Sequence, residues 1–131
     1  MKHLIDIGKQ EAFDIALNGV IAQGRRSFDE YNDACVYNDK MGGRCAVGHI
    51  VENKLPGIAL SEGSIASAAL GYASIEVSDR EMISFFEDLQ SIHDAETFFQ
   101  SEERPDEEYI RHFKDQMRSF AGQCGLEYKE A

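Results

Sequence analysis

The strongest structural signal in the chain is the stretch SDREMISFFEDLQSIH, residues 78–93. Ser78 and Glu81 have the spacing of a capping box, in which each side chain accepts a hydrogen bond from the backbone amide of the other residue. Apolar residues then recur at helical spacing, at Met82, Ile83, Phe85, Phe86, Leu89 and Ile92. The stretch therefore predicts a central core helix that begins after Ser78 and ends near His93.

Three other stretches carry a helical signal. Apolar residues at three- and four-residue spacing predict a helix from Lys9 to Gln23. An alanine-rich stretch predicts a short helix over residues 64–70, and Pro105 with the acids after it opens a last helix. The apolar pair Phe98 and Phe99 is expected to add a further helical turn. The glycines placed to end these helices are Gly24, Gly71, and either Gly122 or Gly125.

The helical period is lost between the first two helices. Residues 34–37 are apolar strand formers, residues 38–43 form a polar glycine turn, and residues 44–51 begin as a strand and become helical. We therefore expect a small hairpin. Side-chain alternation predicts that Ala46 faces outward and that four residues face the core helix: Cys35, Tyr37, Cys45 and Val47.

These elements predict a mostly α-helical (α+β) fold with four or five helices and one small β-hairpin. The 131 residues are near the commonest domain size, so we expect a single compact domain over residues 1–131. The two ends, residues 1–6 and 127–131, are expected to fray.

The chain carries a net charge of −11, which limits its partners. Non-specific nucleic-acid binding requires clustered Lys and Arg, and an anionic membrane surface attracts bases, so neither is an expected partner. No apolar run is long enough to span a bilayer, and the start of the chain lacks the pattern of a signal peptide. We therefore expect a cytoplasmic protein.

The negative charge is concentrated in the C-terminal half. Residues 1–75 contain nine acids and seven bases, whereas residues 76–131 contain fifteen acids and six bases. Such a surface either keeps the protein soluble or binds a basic partner. A protein that binds a basic partner in this way would mimic DNA phosphates. The candidate partner-binding residues are Glu102, Glu103, Asp106, Glu107 and Glu108, with the adjacent bases Arg25 and Arg26 as a site for a phosphate or carboxylate.

A group of cysteines and histidines is the candidate metal site. Cys35, Cys45 and His49 lie within fifteen residues of sequence, and either His93 or Cys124 is the candidate fourth ligand. Zinc prefers thiolate and imidazole ligands. However, the two cysteines are further apart than in common zinc motifs, and a chain of this length folds without metal. The expected cofactor is therefore none, with a structural zinc as the alternative.

A thiol enzyme is a second interpretation of the same residues. On a helix, Cys45 and His49 would be neighbours one turn apart, as a nucleophile and its base. Burial is the usual state of a free cysteine, and a helix C-terminus favours a histidine such as His93 whatever the function. The sequence contains no P-loop, Rossmann, serine-hydrolase or zinc-protease motif.

Residues 35–37 (CVY), the glycine turn and residues 44–50 (RCAVGHI) resemble a pattern found in a loose group of small bacteriophage and prophage proteins. That pattern is C-x-Y, a polar glycine turn, and [KR]-C-A-[IV]-G-x-[LI]-[IL]. Residues 24–27 (GRRS) and 89–94 (LQSIHD) fit the same group, whereas residues 51–53 depart from it. The resemblance implies a phage context and a helical domain with a hairpin. It implies no biochemical activity.

Three hypotheses of function follow. The first is an acidic accessory protein that binds a host or phage macromolecule, as an inhibitor or a DNA mimic. The second is a small metal- or thiol-dependent enzyme centred on Cys45, His49 and His93. The third is a self-associating structural protein, in which surface aromatic residues form a homodimer interface. We favour the first hypothesis, with a protein as the expected partner and a monomer or homodimer as the expected state.

Overall fold

The computed structural model describes residues 3–29, 34–35, 37, 42–58, 60, 62, 66–94 and 105–131, with only the backbone described at 28, 29, 34 and 35. Its elements, in chain order, are β1 (His3–Ile5), α1 (Lys9–Gln23), β2 (Phe28–Asp29), β3 (Ala34–Cys35), α2 (Ala46–Lys54), α3 (Ala66–Tyr72), β4 (Ile75–Val77), α4 (Glu81–Asp94) and α5 (Asp106–Cys124). The predicted fold class is confirmed, because the described residues form five helices and only short strands.

Helix α4 is central, as the sequence predicts. It contacts each of the other four helices. Its apolar face is buried, and Phe86 and Leu89 pack in one cluster with Phe13 and Leu17 of α1 and Phe113 of α5. Burying each of these large side chains contributes about 1.5–3 kcal/mol to folding, so this cluster is the main source of stability.

Glycine ends two of the helices as predicted. Helix α1 has the predicted bounds, Lys9–Gln23, and Gly24 ends it with a left-handed φ of 77°. Helix α5 ends at Gly125, with a φ of 69°, which decides between the two glycines considered. The expected end of α3 at Gly71 is wrong, because the helix continues to Tyr72.

The capping box predicted for Ser78 and Glu81 is wrong, because both residues form other hydrogen bonds. The backbone amide of Ser78 donates to the carbonyl of Ile5, and its hydroxyl donates to Asp6 Oδ1 at 2.9 Å. Ser78 therefore belongs to the end of the β1–β4 ladder and is not free to cap α4. The carboxylate of Asp79 caps the helix instead, since its Oδ1 accepts from the Glu81 amide at 3.0 Å.

The antiparallel strand pair lies between α1 and α2, as expected, but its strands differ from the prediction. β3 pairs with β2, with Phe28 opposite Cys35 and Asp29 opposite Ala34. Between described residues, the predicted partner segment forms one backbone hydrogen bond with residues 34–37, from the Cys45 amide to the Tyr37 carbonyl at 3.1 Å. The residues after Cys45 form α2, so Ala46 is buried in a helix and its predicted outward direction is wrong.

A parallel pair formed by β1 and β4 was not predicted. His3, Leu4 and Ile5 lie opposite Ile75, Glu76 and Val77. The pair joins the start of the chain to the segment before α4, with Ile5 buried and Leu4 exposed. The predicted helical turn at Phe98 and Phe99 lies outside the described residues.

The C-terminal tail packs against α1, although we expected residues 127–131 to fray. Gln10 binds the backbone of Glu127 twice, at 2.9 and 3.0 Å, and the amide of Ala131 donates to Asn18 Oδ1 at 2.8 Å. The Tyr128 ring lies edge-on to Phe13, and the guanidinium of Arg118 lies 4.6 Å from its centroid. These contacts attach the tail to both α1 and α5.

Candidate functional site

Cys45 is the N-cap residue of α2. Its backbone is extended (φ −77°, ψ 177°), and its Sγ accepts a hydrogen bond from the Gly48 amide at 3.2 Å. The thiol is fully buried, so its predicted inward direction is confirmed. Burial raises the pKa of this thiol well above its usual value. A reactive cysteine needs the reverse, a lowered pKa and some exposure.

Tyr37 contacts the N-cap residue Cys45 through its backbone. Its carbonyl accepts from the Cys45 amide, and its own amide donates to Glu62 Oε2 at 2.8 Å. The side chain is buried, as predicted, and burial also raises the pKa of its hydroxyl. A Cβ at Gly48 would lie 2.7 Å from the Tyr37 carbonyl oxygen, so this approach requires glycine.

His49 lies against the first helix. Its ring approaches Gly19 so closely that a Cβ there would be 2.6 Å from the imidazole Cγ. The Oε1 atom of Gln23 lies 3.0 Å from His49 Nε2 and accepts from the Arg44 amide at 2.7 Å. Desolvation, with smaller repulsion from His93 and Arg44, lowers the pKa of His49 to about 4. His49 is therefore neutral at pH 7 and donates from Nε2 to Gln23.

His93 is fully buried at the end of α4. Its Nε2 accepts a hydrogen bond from the backbone amide of Ser27 at 3.1 Å, so the ring proton is on Nδ1. Nδ1 lies 2.9 Å from Asp94 Oδ1 and donates to it. The hydroxyl of Tyr109 donates to the His93 carbonyl. Asp94, His93 and Ser27 are linked in the order of a catalytic triad. However, the group that binds His93 Nε2 is the backbone amide of Ser27 and not its hydroxyl, so the nitrogen that would act as the base is occupied.

Two glutamines connect these residues. Gln90 donates to Asp94 Oδ1 at 2.8 Å and accepts from the Val47 amide at 3.3 Å. Gln23 binds His49 and Arg44 on the other side of α2. We call the side chains of Gln23, Cys45, His49, Gln90, His93 and Asp94 the polar cluster. These side chains provide hydrogen-bond partners for the backbone amides of Val47 and Gly48, and the rings of His49 and His93 also have partners within the protein.

The candidate metal ligands are only partly brought together. The ring of His93 is close enough to His49 for its charge to contribute to the lowered pKa of His49. The side chain of Cys35 lies outside the described residues. Among the residues that the structure describes, no three His, Cys, Asp or Glu side chains are arranged to hold a metal ion.

Three of the five candidate partner-binding acids lie at the start of α5. Asp106, Glu107 and Glu108 form its first turn, whereas Glu102 and Glu103 lie outside the described residues. Asp106 and Glu107 are exposed and make no hydrogen bond or ion pair with any residue in the described part of the chain. The stabilising effect of acids at a helix N-terminus accounts for part of this placement.

Arg25 and Arg26 are both engaged within the protein. Arg26 donates to the Asp94 carbonyl at 3.1 Å, so it stabilises the C-terminal end of α4. Arg25 contacts the Arg26 carbonyl at 3.4 Å. The helix end that Arg26 binds is therefore that of α4, although the residue follows α1 in the sequence.

Gln23, Ser27, Gln90 and Tyr109 were missed by sequence reasoning. Each contributes a polar group that meets its partner only after distant segments pack together; Ser27 and His93, for example, are 66 positions apart. One signal was available. Gln23 and Gln90 are amides on faces next to apolar residues, and partly buried amides of this kind require hydrogen-bonding partners.

No protein-family model, curated protein or solved structure matches the chain. Within the described residues, no helix has the length and apolar character needed to cross a membrane.

Proposed function

We propose that the protein acts by binding a basic macromolecular partner, preferably a protein, through the acidic surface at the start of α5. The proposal rests on a contrast between polar side chains in the interior of the protein and acidic side chains on its surface. The three residues of the alternative enzyme site, Cys45, His49 and His93, are used in internal hydrogen bonds, whereas Asp106 and Glu107 are exposed and unpaired among the described residues.

The phage context and the inhibitor or DNA-mimic role belong to the same proposal. A phage accessory protein of this kind would act in the host cytoplasm and occupy a basic surface that normally binds DNA phosphates or an acidic protein. Attraction between exposed charges increases the association rate and weakens as salt is added. Partner binding should therefore decrease steeply with ionic strength.

The test is capture of a partner from host lysate by immobilised wild-type and variant proteins. The double variant Asp106→Lys and Glu107→Lys should reduce recovery of the partner more than tenfold. The control Glu81→Lys and Asp88→Lys makes the same change in charge on α4, where both residues are exposed and Glu81 also lies in a first turn. It should leave capture unchanged.

Each reversal in a first turn also removes about 0.3–1 kcal/mol of favourable interaction with the helix dipole. The thermal midpoints of both double variants therefore have to be compared before their binding is interpreted. Equal capture by the wild type and the α5 variant would contradict the proposal, as would capture that does not change with salt.

A further inference from the structure

Within the described residues, the outer edge of β1 has no strand paired with it. In the described sheet β1 has a single neighbour, β4. The His3 amide donates to the Ser74 carbonyl at 2.7 Å, and the Ile5 carbonyl accepts from the Ser78 amide at 3.0 Å. Successive residues of a strand direct their backbone groups to opposite edges, so the amide and carbonyl of Leu4 point away from β4.

Within the described residues, Leu4 leaves its outward-facing backbone groups without a hydrogen bond and most of its side chain exposed. Its amide and carbonyl point away from β4, and outside the β1–β4 ladder they form no hydrogen bond with any described residue. Its side chain is 59% exposed, and among the described residues Tyr72 is the other exposed large hydrophobic side chain, at 72%. Natural proteins usually cover or charge such an edge, because it can pair with another strand.

The outward face of the sheet is acidic around Leu4. Asp6 follows Leu4 on the same face of the chain, and Glu76 lies opposite Leu4 on β4. Both carboxylates are exposed, and residues 3–7 and 74–78 contain no Lys or Arg. A strand placed beside β1 would match this face with an apolar residue next to Leu4 and a basic residue two positions away, next to Asp6.

We propose that the outer edge of β1 binds an extended, basic segment of a partner protein by strand addition. The Leu4 amide and carbonyl form the main-chain hydrogen bonds, and Leu4 and Asp6 select the apolar and basic side chains. This surface is separate from the first turn of α5, so the inference holds even if that turn binds nothing. A basic segment fits better than a second copy, because each copy carries a charge of −11.

The test uses a fluorescently labelled peptide, Thr-Val-Thr-Lys-Thr-Val-Thr-Lys, with blocked ends. As a strand, it presents valine and lysine alternately on one face. Its anisotropy is measured against increasing concentrations of the full chain. The wild type should bind it, and a matched peptide with glutamate in place of lysine should bind at least tenfold more weakly.

Leu4→Pro is the decisive variant. Proline removes the amide that points outward but leaves the β1–β4 ladder intact, since Leu4 donates nothing to β4. The lysine peptide should bind Leu4→Pro at least tenfold more weakly than the wild type. Leu4→Thr keeps the amide and is the matched control, so it should lose less affinity. Far-UV circular dichroism and the thermal midpoint check that each variant folds.

A second measurement does not depend on the variants. In the wild type, the lysine peptide should shift the NMR amide signals of Leu4 and Asp6 more than those of α5. Four results would overturn the inference: no binding to the wild type, equal binding to Leu4→Pro, amide shifts confined to other regions, or a dimer that Leu4→Pro converts to a monomer. The last result would assign the edge to a second copy.

Discussion

At the scale of single residues, two glycines determine how closely α2 approaches its neighbours. Gly19 of α1 leaves space for the His49 ring, and Gly48 allows the Tyr37 carbonyl to approach the first turn of α2. Side-chain bulk at either position would move the helix or its neighbour. The sequence shows both glycines inside apolar stretches, but it does not show which residue each one contacts.

Gly48→Ala should destabilise the protein by about 1–3 kcal/mol, the usual cost of overpacking a core. The added Cβ would lie 2.7 Å from a backbone oxygen, which cannot rotate away as a side chain does. Gly122→Ala is the matched control in α5, because a Cβ there meets nothing within 4 Å. It should stabilise the protein by about 0.5–1 kcal/mol. Urea unfolding measures both, and equal effects would refute the close approach at Gly48.

His49 should make the stability depend on pH. Its pKa is about 4 in the folded protein, compared with an ordinary value of 6.5, so the unfolded chain takes up a proton first as the pH falls. The free energy of unfolding therefore decreases between pH 6.5 and 4, by up to about 3 kcal/mol. His49→Gln should show a smaller decrease over the same range, measured by urea unfolding at several pH values. Identical pH profiles would contradict this role.

At the scale of elements, the sequence predicts helices better than strands. Helix α1 and the core helix α4 have long apolar periods, which depend only on nearby residues. The strands contain two or three residues each, and β1 pairs with a segment more than 70 positions away. Such pairing depends on the assembled core, so local patterns cannot reveal it.

The start of α4 illustrates the same point. Ser78 has the sequence of a cap, yet the β1–β4 ladder uses its amide, and Asp79 performs the capping. Asp79→Ala should therefore cost about 1 kcal/mol, whereas Ser78→Ala should cost less, since its hydroxyl makes only an exposed hydrogen bond with Asp6. Thermal unfolding compares the two variants. A larger loss of stability in Ser78→Ala than in Asp79→Ala would support the predicted capping box and contradict capping by Asp79.

At the scale of the whole molecule, one apolar core joins the segments from β1 to α5, and the polar cluster is enclosed between α1, α2 and α4. The sequence correctly placed Cys45 inside this core and His93 near it. It could not provide the cluster's hydrogen bonds, because they join residues from three distant segments, 23–27, 44–49 and 90–94. The contrast between the internally bonded Cys45, His49 and His93 and the exposed acids Asp106 and Glu107 is the basis of the proposed binding function.

The central claim is that the polar cluster is an internal structural feature and not a reactive site. Cys45 tests it, because its thiol is fully buried and can meet a reagent only when the core opens, whereas Cys124 is exposed. A Cys35→Ser variant leaves these two thiols as the only ones in the chain.

The decisive measurement is the rate at which iodoacetamide modifies each thiol of that variant, followed by peptide mass spectrometry at pH 8. A folded domain of ordinary stability should protect Cys45 by more than about a thousandfold relative to Cys124. Urea should remove the difference. Modification of Cys45 in the native protein at the rate of Cys124 would contradict the claim and return the thiol enzyme to consideration.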